Sequence, residues 1–166
     1  MVSKTVVIAI DNSKECLQAL DFALQHFPKG YSYHLVHIQP RPFGSTFVTT
    51  TAAAGILHDS RSALEKDMVV TGATSRFMED IFAPRVRMAG VDFFKVVLDA
   101  ISDSSSHIGA ALCEYAEKIE AAALIAMRRN KSHVSRFFIG SVTRYCALHS
   151  PTPFVIVASS ASRHCI

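Results

Sequence analysis

From Ala122 to Val157 the sequence AALIAMRRNKSHVSRFFIGSVTRYCALHSPTPFVIV reads as strand, loop, helix, strand. Gly140-Ser141 closes a basic loop, Arg128 to Arg136, and opens the helix. First-turn N–H groups are unpaired within a helix and lie at the positive end of its dipole, so this is a place to hold phosphate. Ser141, Val142 and Thr143 could donate to such an anion, and Arg128, Arg129, Lys131 and Arg136 would draw it in. Asp11, at the end of the first apolar run, could accept from an adenine amine or a ribose hydroxyl. It could equally accept hydrogen bonds at the start of the helix that follows. Ile38 could offer backbone atoms to adenine.

Catalytic chemistry has less support. The sequence contains no GxxxxGK[ST], GxGxxG, GxSxG or HExxH motif and no evident carboxylate pair. Ser104, Ser105 and Ser106 have no neighbour in sequence that reads as their base, so no enzyme is expected. His34 and His37 lie an odd number of residues apart on a strand, hence on opposite faces, and read as structural rather than metal-binding. The four cysteines, Cys16, Cys113, Cys146 and Cys165, are widely spaced without a CxxC pair. They read as reduced thiols, the first three as small core residues, which places the protein in the cytoplasm or a similar reducing space.

The elements that must position these groups follow from apolar patterning. Thr5 to Ile10 is a nearly continuous β-forming run, as expected of a central parallel strand buried on both faces. Ser13 is the expected cap of a helix through Phe27, ended by Pro28-Lys29-Gly30. Further strands are expected over Tyr33–Ile38, Phe93–Leu98 (an edge, from Lys95), Ala122–Met127 and Phe154–Ala158. Residues 40–58 read as a loop. Helix between Asp59 and Ala89 is expected to be broken by Gly72 and Pro84 and closed by Gly90. A further helix, capped within Asp103–Ser106, should run through Lys118 on an apolar face of Ile108, Ala111, Leu112, Tyr115 and Ile119.

Strands alternating with helices imply an open α/β sheet, a doubly wound parallel arrangement with helices on both faces and ligands at the strands' carboxyl ends. At 166 residues, 49% hydrophobic, the chain suits a single domain over 1–166. Its +3 formal charge suggests no nucleic-acid binder, and the opening apolar run is too short for a membrane span.

Three stretches together resemble the universal stress protein family: VVIAIDNS, LVHI, and Gly140-Ser141-Val142-x-x-Tyr145 followed by His149-x-Pro151-x-Pro153 and an apolar strand. The resemblance implies a five-stranded sheet of order 3-2-1-4-5 and commonly a dimer through the last strand. It also implies ATP binding in members that keep G-x-x-G, nine residues, then G-S/T. Counting back from Gly140 places Asn130 and Met127 at the two earlier glycines. Asn tolerates left-handed backbone, whereas Met127 brings bulk to where a ribose or phosphate would sit. Forcing a non-glycine into strained backbone costs about 1–3 kcal/mol, one to two decades in affinity. The reading is therefore a non-catalytic module with weak or lost ATP binding that docks on partners. The alternatives are an ATP-binding switch and a structural subunit of a larger assembly, for which the insert Phe77–Met88 would suit a docking surface. The Phe154–Ala158 edge is expected to pair with a second copy or another protein.

Overall fold

The computed structural model describes residues 4–11, 13–40, 72–128 and 140–158. Five strands form one all-parallel sheet: β1 (Lys4–Ala9), β2 (Tyr31–Pro40), β3 (Asp92–Ala100), β4 (Ala123–Met127) and β5 (Phe154–Val157), in the order β3-β2-β1-β4-β5. The expected order is therefore observed. The central strand behaves as its composition requires. Val6, Val7 and Ile8 are wholly buried, with Val6 and Ile8 in the core on one face and Val7 in the core on the other.

On the first face lie α1 (Leu17–His26), entered through a 3-10 turn at Lys14–Cys16, and α2. Helix α2 runs from 72 through a π turn at Met78–Phe82 into Ala83–Met88. On the second face lie α3 (Ser105–Lys118) and α4 (Ser141–His149).

The expected break at Pro84 does not occur. Proline lacks the N–H that would bond one turn back and its ring crowds that carbonyl. Here the backbone widens into the π turn immediately before it, and the N–H of Ala83 reaches back five residues to Met78 O. Gly72 is the first described residue of this helix, so the expected break there and the part of the run before it lie outside the described residues; Gly90, at φ +65, ends the run as expected. Met78, Phe82, Ala83 and Val86 are fully buried, so the insert proposed as a docking surface packs mainly onto the sheet; Met88 alone of its large apolar residues is prominently exposed. Strands β2 and β3 are longer than expected: Tyr31 and Ser32 extend the start of β2, and Gln39 and Pro40 pair with Asp99 and Ala100 beyond the expected ends, with Asp92 paired to Ser32. Along α3 the buried line is Gly109, Leu112, Cys113 and Ala116, with the expected Ile108, Ala111, Tyr115 and Ile119 packed around it.

Both strand histidines are structural. His37 Nδ1 donates to Ile10 O at 2.9 Å, tying β2 to the end of β1. His34 Nδ1 meets the Tyr115 hydroxyl at 2.7 Å beside the ring of Phe94. Burial holds the His34 imidazole below its usual 6.5, favouring the neutral form. With the folded value below the unfolded one, this contribution is complete above about pH 6.5 and is lost as pH falls through the folded value. The thermal midpoint should therefore decline on acidification below that point, and His34→Gln should flatten the decline in pH-dependent melts.

Helices α3 and α4 approach closely at Gly109. A β-carbon there would stand 2.5 Å from Tyr145 Cδ1 and 3.0 Å from Tyr145 Cβ, so an added methyl meets the base of that side chain as well as its ring. Gly109→Ala gains helix propensity of about 1 kcal/mol but overpacks by about 1–3 kcal/mol. A net destabilisation of about 1 kcal/mol is expected in chemical denaturation, relieved in Gly109→Ala/Tyr145→Ala.

Candidate functional site

The carboxyl ends of β1 and β4, neighbours in the sheet, open where the chain departs to opposite faces: from β1 to α1 and from β4 towards α4. That divergence is the switch point of a doubly wound sheet, where ligands sit. Asp11 stands on one side of it, Met127 and Arg128 on the other, with Gly140 and Ser141 opening α4.

Asp11 is engaged by its own loop. One carboxylate oxygen, Oδ1, accepts from Ser13 N at 3.0 Å, from the Ser13 hydroxyl and from the Cys16 thiol at 3.0 Å. Ser13 occupies the cap position of the 3-10 turn but makes no side-chain cap bond. The acceptor is Asp11 instead, because its carboxylate can take several donors at once where a serine hydroxyl takes one or two. Burial, chiefly, pushes the Cys16 thiol up to about 12, so it stays protonated and remains a donor. Asp11→Ala removes the common acceptor of three local donors. It should cost about 1–2 kcal/mol in urea melts.

On the other side, Met127 ends β4 with its side chain packed on the core that α1 covers. Its carbonyl accepts from Thr143 Oγ1 at 3.5 Å, joining the end of β4 to the first turn of α4. Arg128 N donates to Val157 O at 2.8 Å. Its buried Nε has no hydrogen-bond partner among the described residues. Gly140 caps α4 at φ −55, with its carbonyl accepting from Arg144 N at 2.8 Å. Thr143 is buried and Val142 packs on the second core.

Ile38 is placed differently from the expectation. It is not the last residue of its strand but pairs with Leu98 inside the β2–β3 ladder, two residues before its end, and its side chain is buried in the second core. Arg129, Asn130, Lys131, His133 and Arg136, the 41–58 part of the expected loop, and Cys165 lie outside the described residues.

Two contacts were not legible from motifs. Ser105 Oγ and Ser141 Oγ share a hydrogen bond at 2.5 Å, bringing the starts of α3 and α4 together. Ser102 Oγ, outside the Ser104–Ser106 run considered in the sequence, lies 2.7 Å from His107 Nδ1. His107 N also donates to the Ser104 cap at 3.3 Å. The sequence signal is a Ser-rich cap followed by a first-turn histidine, a pattern shared with ordinary helix starts. Among the described residues no group of three or more His, Cys, Asp or Glu side chains could hold a metal ion.

Residues 3–158 match the universal stress protein family as a whole. The chain belongs to that family. No curated protein matches it. Among solved structures, a universal stress protein from Burkholderia pseudomallei is 18% identical with a TM-score of 0.58, covering 93% of this chain and 96% of its own. A universal stress protein in complex with cAMP is 22% identical at TM-score 0.55, covering 96% and 100%. One from Archaeoglobus fulgidus in complex with dAMP is 17% identical at TM-score 0.50, covering 94% and 98%. At these identities the likeness establishes the fold. It leaves the family's ligand chemistry in this chain to be argued from its own residues. No described helix of this family member is long and apolar enough to cross a membrane.

Proposed function

We propose that the chain is a single, non-catalytic universal stress protein domain that holds an adenine nucleotide weakly or not at all and acts by docking on partners. The observation that carries this reading is the state of the two strand ends flanking the switch point. Asp11 is committed to Ser13 and Cys16, and Met127 is built into the core where the family's nucleotide-binding members carry glycine. Neither is arranged as bare backbone for a triphosphate to approach. The Ser102–His107 pair is exposed, and among the described residues no carboxylate is seen orienting the histidine; it does not supply a catalytic set.

Docking is assigned to β5. It is an edge strand, and all four of its residues, Phe154–Val157, are only partly buried. An apolar edge of this kind is satisfied by pairing, here with a second copy of the chain or another protein. Sedimentation at micromolar concentration should find a dimer; a monomer would remove the self-pairing half of the reading.

A second reading is favoured by Arg128. A buried guanidinium nitrogen with no partner among the described residues is a place for a ligand oxygen, and the relatives solved with cAMP and dAMP make a nucleotide phosphate the natural candidate. In this reading the chain is a nucleotide-binding switch. Equilibrium dialysis with labelled ATP-Mg and with AMP separates the two. Binding weaker than about 100 µM is expected, with no increase in thermal midpoint at millimolar ligand. Micromolar binding would overturn the docking reading in favour of the switch.

A further inference from the structure

Outside the switch point, the second core contains a pair of nucleophilic groups that neither nucleotide binding nor docking uses. Cys113 on α3 and Cys146 on α4 are both free thiols, 6% and 1% exposed, in the same apolar cluster. Their juxtaposition has a cause. Gly109 lets α4 come against α3 with Tyr145 where a β-carbon would stand, and Cys113 follows one turn after Gly109 while Cys146 follows Tyr145. Both thiols are buried in this one cluster, and Cys146 Sγ reaches across the crossing to donate to Gly109 O, one turn before Cys113, at 3.8 Å.

We propose that Cys113 and Cys146 form an intramolecular disulfide under a peroxide oxidant, a covalent staple between α3 and α4. Disulfide geometry asks for β-carbons about 3.5–4.5 Å apart, the spacing that only a close helix crossing allows. The chemistry balances without any further reagent. The sulfur of Cys113, the less buried of the two, attacks one peroxide oxygen; the O–O bond breaks, water leaves, and a sulfenic acid remains. The sulfur of Cys146 then attacks that sulfur. The S–O bond breaks, and the departing hydroxide takes the Cys146 proton to leave as a second water. Two thiols have lost two electrons and one peroxide has gained them.

Burial raises both thiols, Cys146 to about 12, so the reactive thiolate is scarce and the first step is slow in the closed state. Reaction therefore follows local opening of the crossing, which makes the pair a recorder of sustained oxidation rather than a fast sensor. The staple reports on the site as well. Helix α4 begins at Gly140-Ser141, and Ser141 already bonds Ser105 on α3, so crosslinking holds the start of α4 against its neighbour. This inference is independent of whether the chain binds a nucleotide.

The test treats the full-length folded protein with hydrogen peroxide for about 100 times as long as the urea-unfolded chain needs to lose all its thiols at the same dose, because local opening must precede reaction. Thiols are then counted and linked peptides mapped by mass spectrometry without reduction. The expected result is the loss of two of the four thiols, a Cys113–Cys146 peptide, and a thermal midpoint higher by roughly 5–10 °C that returns on reduction. Cys113→Ser and Cys146→Ser should each abolish both the linkage and the shift. The peptide map of the unsubstituted chain decides the matter even if a variant fails to fold. Retention of both thiols under these conditions, a map dominated by other pairings, or sulfinic acid at Cys113 without the linkage would each overturn the proposal.

Discussion

Met127→Gly/Asn130→Gly should bind ATP-Mg about 10–100-fold more tightly than the unsubstituted chain in equilibrium dialysis. The size follows from side-chain bulk. Two non-glycine residues stand where the family's nucleotide-binding members carry glycine; Met127 is regular strand, so its obstacle is crowding, and relieving about 1–3 kcal/mol of it is worth one to two decades of affinity. The gain should come with a loss. Met127 packs on the core beneath α1, so removing its side chain empties that contact and frees the backbone in the unfolded chain. A denaturation midpoint lower by the equivalent of about 2–4 kcal/mol is expected. Tighter binding in a less stable protein is the signature of a site exchanged for packing. If the double variant binds no better, the obstacle lies with Asp11, whose carboxylate is already held by Ser13 and Cys16.

Phe82→Ala should be the most destabilising single change among these variants, about 3–5 kcal/mol in chemical denaturation. Phe82 is wholly buried, closes the π turn and packs edge-on against Phe77 at 5.7 Å between ring centroids. The π turn is what lets α2 pass Pro84 and still deliver Phe82 and Val86 to the sheet. Pro84→Ala tests that account separately. It restores a helix donor at an exposed position and should change stability by less than Phe82→Ala, with any gain reading as relief of the widened turn. Far-ultraviolet circular dichroism alongside the melts distinguishes a lost core contact from an unravelled helix.

The sheet was legible because its strands carry a signal that tertiary context does not alter. Thr5 to Ile10 cannot sit anywhere but between two apolar layers, and the structure buries Val6, Val7 and Ile8 completely. Strand ends were less legible. Gln39 and Asp99 are polar and read as loop, yet the parallel ladder carries them because β2 and β3 support one another to Pro40 and Ala100. Pro84 misled because the rule that breaks a helix at proline assumes an unaltered i to i−4 ladder. At the switch point the sequence named Asp11, Met127 and the start of α4. It could not reveal that Cys16, read as a core residue, would also donate to Asp11, since a turn between them must first bring the thiol round. The Ser105–Ser141 bond was hidden for another reason: it joins residues far apart in the chain through the packing of two helices.

The place of β1 in the sheet has a consequence for biosynthesis. Its two hydrogen-bonded flanks are filled by residues from distant parts of the chain, one by β2 at Tyr31–Val36 and the other by β4 at Ala123–Ile125. A ribosome emits residues at about 5–20 per second, so the second flank waits roughly 5–20 s after the first is available. During that interval a strand whose Val6, Val7 and Ile8 are wholly buried in the finished fold presents an open side to whatever is nearby. A nascent chain built this way leans on holding factors at the exit tunnel, and its yield should suffer more from their depletion than from any loss of final stability.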